Sequence, residues 1–389
     1  MSGHRFRIAL VTETYPPEVN GVAMTLGRLA TGLAERGHDV RLVRPHQQGE
    51  PRGLRANGDL LTSGLPIPGY RELRFGLPCA AKLQRIWIGW RPDVVHVATE
   101  GPLGFSALSA ARRLGIPVIS SFHTNFHSYS RHYGMGWLQR GISRYLRWFH
   151  NRTAATLVPT QQLAAELSAQ GFGNVQVLAR GVDTDRFHPG QRSELLRMHW
   201  GARADDLVCL VVSRLAAEKN LELAFRAYAA IRSEKPAARM VCVGDGPAAL
   251  ALARRHPHVH FCGMQTGADL AAHYASADLF LFPSLTETFG NVVSEALASG
   301  LPVVAFDYAA AAELITPGRN GWLVPCDDAD GFITMSRNAA RQVAEQRVDR
   351  AACPASVRHL SWEKVVDAYE SLSRKTIAAN EYAGGAVLA

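Results

Sequence analysis

The sequence predicts an α/β protein that is built from two doubly wound domains. Short apolar runs alternate with helical stretches along all 389 residues, and this rhythm restarts after residues 181–190. The runs are continuously apolar, which is typical of parallel strands that are covered by helices on both faces. Their alternation with helical stretches indicates βαβ units.

The strands are predicted in chain order from these runs. In the first half they are RIALV, DVRLV, DVVHV, PVISSF, TLVPT and VQVLA, and in the second half LVCLVVS, RMVCVG, VHFCG, DLFLFP, PVVAF and GWLVP. Gly, Pro and acidic residues cluster in GVDTDRFHPG, which indicates a domain boundary. We expect an N-terminal domain over residues 1–186, a C-terminal domain over 187–360, and a last helical stretch from residue 361.

The composition bounds the class of protein. With 47% hydrophobic and 20% charged residues the chain resembles soluble globular proteins. No apolar run approaches the ~20 residues that span a bilayer, and the N-terminus shows no signal-peptide cleavage region. The six cysteines form no CxxC pair, so we expect reduced thiols in a cytoplasmic protein. A net charge of +8 favours anionic partners, or serves solubility alone.

Two cations follow a predicted strand, where doubly wound sheets bind ligands. Arg214 directly follows the run LVCLVVS, and Lys219 lies where the next helix is predicted to start. Cations are unfavourable at a helix N-terminus, so the pair indicates a bound anion such as a diphosphate. The alternative is a surface ion pair between Arg214 and Glu218.

Two glutamates follow the run DLFLFP. Glu287 and Glu295 lie eight residues apart in PSLTETFGNVVSEALASG. A carboxylate accepts both hydrogen bonds of a vicinal diol, and ribose and hexoses each offer one. Gly290 and Asn291 are predicted to open the next helix with free N–H groups. The alternative, an acidic first turn favoured by the helix dipole, explains one glutamate only.

Three further segments also follow predicted strands. Gly244 and Gly246, in VGDGP, allow the backbone to approach a ligand or to make a tight turn. Asn20 and Gly21 are predicted to form a turn whose amides face a ligand, ahead of the first helix. His123, in SSFHTNFHSY, is either a donor to a substrate oxygen or a core residue.

Other ligand motifs are missing or poorly placed. The sequence has neither GxGxxG nor a Walker A motif, which disfavours NAD enzymes and P-loop ATPases. Asp183 and Asp185 form a D-x-D pair of the kind that holds a metal on a diphosphate. Their place in the boundary segment favours a turn, and Arg214 and Lys219 already supply positive charge. We therefore expect no metal site and no divalent-metal requirement.

Together these residues resemble the retaining GT-B glycosyltransferases of family 4 over nearly the whole chain. The most specific matches are E-x7-E at Glu287 and Glu295, SRLAAEKN, GDGP, and NGV near the N-terminus. FHTNFHSY and RGVDTDRF are similar to segments of lipid-directed and mannosyl-transferring members. One departure is AAAAELI, which has alanines where the family often has a glycine pair; the role of Glu313 there is open.

The resemblance implies a GT-B architecture of two Rossmann-like domains facing across a cleft. The N-terminal domain binds the acceptor, the C-terminal domain binds a nucleotide-sugar donor, and the final helix, residues 361–389, crosses back onto the N-terminal domain. It implies front-face attack, in which the leaving phosphate helps to remove the acceptor proton. No cofactor is implied besides the donor substrate.

The resemblance also implies roles for single residues. The first glutamate contacts the transferred sugar, the second contacts the ribose, and the cations neutralise the diphosphate. We expect catalytic roles for His123, Glu287, Arg214 and Lys219. We expect donor-binding roles for Asn20, Gly21, Gly244, Gly246, Arg214, Lys219, Gly290, Asn291 and Glu295.

A basic and aromatic stretch over residues 130–153 indicates the acceptor. Arg140, Arg144 and Arg147 lie at helical spacing on one face, among Trp, Tyr and Phe. Such a helix suits an anionic bilayer surface. The alternatives are a core helix with a solvated basic edge, and nucleic-acid binding, for which no base-reading module is present. We predict peripheral docking on the inner face of the cytoplasmic membrane.

The sequence therefore predicts a hexosyltransferase that uses GDP-mannose or a UDP-hexose and a lipid acceptor, and that binds no nucleic acid. A soluble sugar or polyol acceptor is one alternative. A non-catalytic sugar-nucleotide sensor is another, although the cation pair and His123 are intact. A GT-B phosphorylase or epimerase is a third, and no pyridoxal lysine site is found for the former.

Overall fold

The computed structural model describes residues 5–18, 20–47, 49–50, 52–67, 70–123 and 136–386. The chain divides into two compact units, one formed by Met1–Gly181 with Trp362–Ala389 and the other by Val182–Ser361. The division therefore lies at residues 181 and 182, where the sequence predicts it at 186 and 187. It follows Gly181 in the same GVDTDRFHPG segment.

The elements alternate between strands and helices in both units. The strands are β1 (Arg7–Val11), β2 (Asp39–Pro45), β3 (Gly53–Leu54), β4 (Leu60–Thr62), β5 (Gly64–Ile67), β6 (Tyr70–Gly76), β7 (Val94–Val97), β8 (Val118–Ser121), β9 (Ala155–Val158), β10 (Val175–Val177), β11 (Val208–Val212), β12 (Arg239–Val243), β13 (Val259–Phe261), β14 (Leu279–Phe282), β15 (Val303–Phe306) and β16 (Gly321–Val324).

The helices connect these strands. They are α1 (Gly21–Glu35), α2 (Ala80–Trp90), α3 (Pro102–Arg113), α4 (Gly136–His150), α5 (Gln161–Ala169), α6 (Glu194–His199), α7 (Leu221–Glu234), α8 (Ala249–Arg255), α9 (Gly267–Ser276), α10 (Asn291–Ala298), α11 (Ala309–Leu314), α12 (Ala329–Ala344), α13 (Ala352–Val357) and α14 (Trp362–Ala386). Among the described residues, no helix is long and apolar enough to span a bilayer.

The first unit contains a sheet in the order β10-β9-β8-β7-β1-β2-β4-β3. Its strands are parallel except β3, which runs antiparallel to β4. The strand β1 pairs with both β2 and β7, so the order of the chain reverses there. All residues of β7, β8 and β9 are buried, because helices cover the sheet.

The second unit contains a fully parallel sheet in the order β13-β12-β11-β14-β15-β16. This is the strand order of a doubly wound dinucleotide-type sheet, in which ligands bind where the order reverses. The reversal lies between β11 and β14. We therefore expect the ligand of this unit at the loops that follow those two strands.

A buried carboxylate fixes the opposite end of the same two strands. Asp278 lies immediately before β14 and accepts a hydrogen bond from the backbone N–H of Val208 at 2.9 Å. Its carboxylate also accepts from Arg197 at 2.9 Å and from Arg350 at 3.0 Å. The Arg197 side chain is only 1% exposed, and breaking such a buried pair costs about 3–5 kcal/mol.

The last helix, α14, belongs to the first unit. Val366, Tyr369 and Leu372 pack in one buried cluster with Phe6 and Ile8 of the first strand region.

The predicted fold class of two doubly wound α/β domains is confirmed. Each of the twelve runs singled out in the sequence contains a strand. The strands β3 to β6 were missed, because none of them forms a long apolar run.

Candidate active site

The cation loop of the second unit connects β11 to α7. Arg214 follows the strand, and Lys219 ends a short 3-10 turn over Ala217–Lys219. The guanidinium of Arg214 forms an ion pair with the Glu218 carboxylate, so the local pair that the sequence suggested is present. The Arg214 side chain is still 38% exposed, which leaves it accessible to an anionic ligand.

Lys219 and Glu287 meet although they are far apart in sequence. The ammonium of Lys219 forms an ion pair with Oε1 of Glu287. Lys219 Nζ also lies 3.5 Å from the Ser284 hydroxyl, which donates to the same Oε1 at 2.8 Å. The two segments follow the neighbouring strands β11 and β14. The structure thus brings together the two motifs at the reversal of strand order.

The helix α10 begins where the sequence predicts. Gly290 is its N-cap with a φ of 93°, a left-handed conformation that favours glycine. Asn291 is the first helical residue, and its Oδ1 is buried without a hydrogen-bond partner among the described residues. Buried acceptors are normally satisfied by protein, water or ligand. Asn291 is therefore suited to accept a hydrogen bond from a ligand.

Glu295 lies in α10 and has an unusual protonation equilibrium. Its Oε2 accepts a hydrogen bond from the hydroxyl of the buried Tyr274 at 2.9 Å. Burial raises the pKa of Glu295 to about 7, against the opposing effects of the Tyr274 hydrogen bond and the charge of Arg186. The folded protein therefore holds the proton of Glu295 to a higher pH than an exposed glutamate does.

The two glycines of VGDGP support the cation loop. Gly244 has a φ of 130° and Gly246 a φ of 158°, and a side chain on either would overlap the backbone carbonyls of Ser213 and Leu215, respectively. Leu215 N–H in turn donates to the Asp245 carbonyl at 2.9 Å. Backbone packing alone explains both glycines, and their contact with a donor stays a prediction.

The helix α11 begins in the segment AAAAELI, where this chain has alanines in place of the glycine pair that is frequent in the family. Ala309 has a φ of 53°, which is uncommon for a residue other than glycine. The next N–H, of Ala310, donates to the Phe289 carbonyl at 2.8 Å. The backbone therefore keeps a conformation that glycine adopts easily, and it is held against the segment that carries Glu287.

In the first unit, Asn20 and Gly21 form the start of α1 rather than a turn ahead of it. Asn20 is the N-cap, and its Oδ1 accepts from Ala23 N–H at 2.9 Å. Its amide nitrogen donates to Thr14 Oγ1 at 2.7 Å. The side chain of Asn20 is thus engaged within the unit, while the N-terminus of α1 remains the candidate ligand contact.

His123 lies just past β8, next to an arginine that the sequence reading missed. Nη2 of Arg180 is 3.3 Å from Nδ1 of His123. Burial lowers the pKa of His123 well below its ordinary value, and Arg180, His96 and His150 lower it further. Arg180 directly follows the run VQVLA, so its position just after a predicted strand is the signal that marks it as a candidate. His127, the second histidine of the segment SSFHTNFHSY, lies outside the described residues.

The D-x-D pair forms a turn. Asp183 Oδ1 accepts from the Arg186 N–H at 3.1 Å, and Asp185 is exposed. Among the described residues, no group of three or more His, Cys, Asp or Glu side chains is arranged to hold a metal ion.

Cations and carboxylates thus meet at the reversal of strand order in the second unit, where a doubly wound sheet binds its ligand. Residues 19–186 match the family model described as Glycosyltransferase Family 4, and residues 206–340 match the one described as Glycosyl transferases group 1. The chain belongs to glycosyltransferase family 4, and it is a hexosyltransferase with the GT-B fold.

Curated relatives match most of the chain. It is 35% identical over 365 residues to a GDP-mannose-dependent alpha-mannosyltransferase of Mycobacterium tuberculosis, covering 93% of this chain and 94% of the relative. It is 29% identical over 315 residues to an alpha-monoglucosyldiacylglycerol synthase of Streptococcus pneumoniae, covering 77% and 70%. Among solved structures, sucrose-phosphate synthase from Thermosynechococcus elongatus shares the fold, with a TM-score of 0.76, 18% identity, and coverage of 96% and 100%.

The raised pKa of Glu295 predicts a pH-dependent stability. The folded protein holds the proton up to about pH 7, whereas the ordinary value is 4.5. Between these values the folded state binds more protons than the unfolded state, so the free energy of unfolding falls as pH rises. Glu295→Gln removes this loss and should stabilise the second unit by about 3 kcal/mol at pH 8, with little effect at pH 4.

Chemical denaturation of wild type and variant at pH 4 to 8 measures this difference. Exposed Glu345→Gln serves as the control and should follow the wild-type curve. Parallel curves for wild type and Glu295→Gln would show that the Glu295 carboxyl has an ordinary pKa.

Proposed function

We propose that this enzyme is a retaining hexosyltransferase that moves mannose from GDP-mannose to a lipid acceptor at the inner face of the cytoplasmic membrane. The observation that carries the proposal is the contact of Lys219 with Glu287, beside Arg214 and the start of α10. The relative named for GDP-mannose supports the donor, with a UDP-hexose as the second candidate. The relative named for a diacylglycerol product supports the acceptor.

The donor diphosphate is held by the cation loop. Arg214 and Lys219 neutralise its charge, and the N–H groups at the start of α10 point toward an anion. Negative charge grows on the outer phosphate as the sugar leaves, so these fixed positive groups stabilise the transition state more than the ground state. Arg214 exchanges Glu218 for phosphate oxygens in this scheme.

The two glutamates divide the remaining contacts. Glu287 accepts hydrogen bonds from hydroxyls of the transferred sugar, and its ion pair with Lys219 sets its orientation. Glu295, deeper in α10, accepts from the ribose hydroxyls. The acceptor hydroxyl then attacks the anomeric carbon on the face from which the diphosphate leaves, and its proton passes to the departing phosphate oxygen.

A surface formed by α3 and α4 supports the proposed membrane binding. Trp148 stacks on Phe105 with ring centroids 5.8 Å apart, and the guanidinium of Arg152 lies 4.1 Å above the Trp148 ring. Trp148 and Phe105 are 38% and 45% exposed. Arg112 and Arg113 line the same groove. Exposed aromatics among arginines suit the headgroup region of an anionic bilayer.

The basic face of α4 extends this surface. Arg140, Arg144 and Arg147 are all exposed, as the helical spacing predicts. Residues 130–135 of the predicted docking stretch lie outside the described residues, so the support comes from residue 140 onward.

The two glutamates should fail in different ways when mutated. Glu295→Ala removes charge-assisted bonds to the ribose, worth about 1.5–3 kcal/mol each, so GDP should bind about 10- to 100-fold more weakly. Glu287→Ala should leave GDP affinity close to wild type and reduce turnover of GDP-mannose.

Calorimetry with GDP and a transfer assay with GDP-mannose and UDP-glucose separate these effects. Glu345→Gln, on the surface of the same unit, should behave as wild type in both. Unchanged GDP affinity in Glu295→Ala would show that Glu295 does not bind the ribose. Transfer from UDP-glucose but not from GDP-mannose would show that the donor is a UDP-hexose.

Transfer should not depend on a divalent metal, because Arg214 and Lys219 supply the charge that a metal would bring. Activity measured after EDTA treatment should therefore match the untreated enzyme within a factor of about two. An absolute requirement for magnesium or manganese would contradict this expectation. Asp183 and Asp185 would then be the candidate metal ligands.

Membrane binding should depend on the basic face of α4. Each arginine near an anionic surface contributes about 1 kcal/mol, so replacing Arg140, Arg144 and Arg147 by Gln should lower liposome affinity roughly a hundredfold. Hydrolysis of the soluble donor should barely change.

Flotation with neutral and acidic vesicles, at low and high salt, measures this affinity. The control replaces three arginines of the second unit, Arg337, Arg341 and Arg347, by Gln and should float as wild type. If the wild-type protein never floats, or floats equally with neutral vesicles, the lipid acceptor is abandoned in favour of a soluble sugar or polyol.

A further inference from the structure

A buried arginine and the candidate histidine lie in contact at the carboxyl ends of the strands of the first sheet. His123 follows β8 and Arg180 follows β10, and these strands flank β9 in a parallel arrangement. Their carboxyl ends therefore lie on the same edge. The side chain of Arg180 is buried, at 6% exposure, and its Nη2 is 3.3 Å from Nδ1 of His123.

The same two side chains line a cavity of about 30 Å³ within the first unit. His96 and Ser121 also line it, and Nε2 of His96 and the Ser121 hydroxyl share a hydrogen bond of 2.7 Å. The other His96 nitrogen, Nδ1, is buried and has no partner among the described residues. A cavity of this size holds one water molecule where polar groups surround it.

The contact with Arg180 decides where the proton of His123 lies. A guanidinium can only donate hydrogen bonds, because it has no acceptor atom. Nδ1 of His123 must therefore be the acceptor, and a neutral imidazole then carries its proton on Nε2. A proton on Nδ1 would place two donors face to face and add a second positive charge beside Arg180.

The charges around His123 also favour its neutral form. Among the described residues, the titratable groups whose charge acts on His123 are Arg180, His96 from β7 and His150 from α4. His150 is paired with Glu100 at 3.1 Å, and no acidic residue is among those that line the cavity in the described chain. Burial and these neighbours lower the pKa of His123 well below its ordinary value.

We propose that Arg180 is a positioning residue that fixes His123 as a neutral imidazole with its proton on Nε2. The proposal rests on the proposed function and on the catalytic role that the resemblance implies for His123. In this form His123 donates a hydrogen bond from Nε2 to a substrate oxygen. Its only lone pair, on Nδ1, is occupied by Arg180, so it takes no proton from the acceptor hydroxyl, whose proton passes to the leaving phosphate.

The tautomer can be measured on the wild-type protein without any substrate. Nitrogen-15 NMR of histidine-labelled protein distinguishes a protonated Nε2 from a protonated Nδ1, and the His123→Gln spectrum identifies the His123 signals among the 15 histidines. The expected result is a proton on Nε2 and no titration of His123 between pH 5 and 8. A proton on Nδ1, or titration at the ordinary pKa, would overturn the proposal.

Two substitutions of Arg180 test the cause. In Arg180→Met the imidazole should populate both tautomers while burial still keeps it neutral, whereas Arg180→Lys, which still donates and keeps the charge, should retain the wild-type spectrum. Arg7→Met is the control, because it removes an exposed arginine of the same unit that pairs with Asp93 at 3.0 Å. A wild-type spectrum in folded Arg180→Met would overturn the role of Arg180.

Kinetics connect the tautomer to the reaction. Arg180→Met should lower kcat about 10- to 100-fold, with the Kd for GDP unchanged because the proposed diphosphate site lies in the second unit. Arg180→Lys should restore most of kcat, and an equal loss in both variants would contradict the proposal. If no nucleotide sugar is turned over while the wild-type NMR result holds, the proposed function fails and the assignment of the tautomer stands.

Discussion

The parallel pairing of β11 with β14 is the constraint on which the candidate donor site of this enzyme depends. These strands are neighbours in the sheet although α7, β12, α8, β13 and α9 separate them in sequence. Because the order of the chain reverses between them, the loops at their carboxyl ends diverge and leave room beside two helix N-termini. The Lys219–Glu287 ion pair closes this junction, and Asp278 secures the opposite end of the strands. Their register is therefore fixed at both ends.

This arrangement explains why a cation can stand where helix electrostatics disfavour it. Lys219 lies two residues before α7, near the positive end of that helix. Its contact with Glu287 compensates the unfavourable position, and Glu218 does the same for Arg214. A diphosphate can replace or share these carboxylates, which keeps the charge of the site balanced before and after binding. The carboxylates thus hold the cations in place, and the proposed function also gives Glu287 the contacts to sugar hydroxyls.

Much of the fold and of the candidate site in the second unit could be predicted, because short local sequence patterns indicate both. Buried parallel strands are continuous apolar runs, and Arg214, Lys219, Glu287 and Asn291 stand directly beyond them. What could not be predicted depends on tertiary packing. The packing of Gly244 against the Ser213 carbonyl involves two loops far apart in sequence, and strands β3 to β6 have no apolar run to mark them. No local pattern shows that Arg180 donates to His123 across β9.

The two titratable groups with the most informative shifts are controlled in opposite ways. Glu295 is buried next to the neutral hydroxyl of Tyr274, with Arg186 only a secondary influence, so desolvation wins and the carboxyl group keeps a proton to about pH 7. His123 is also desolvated, but its neighbour is a full positive charge, and desolvation and charge both remove its proton. In the proposed function, His123 in the first unit therefore offers an uncharged N–H donor, whereas the permanent charges of Arg214, Lys219 and Glu287 lie at the loops that follow β11 and β14 in the second unit. This separation matches the chemistry of a sugar diphosphate, whose hydroxyls need hydrogen bonds and whose leaving phosphate needs positive charge.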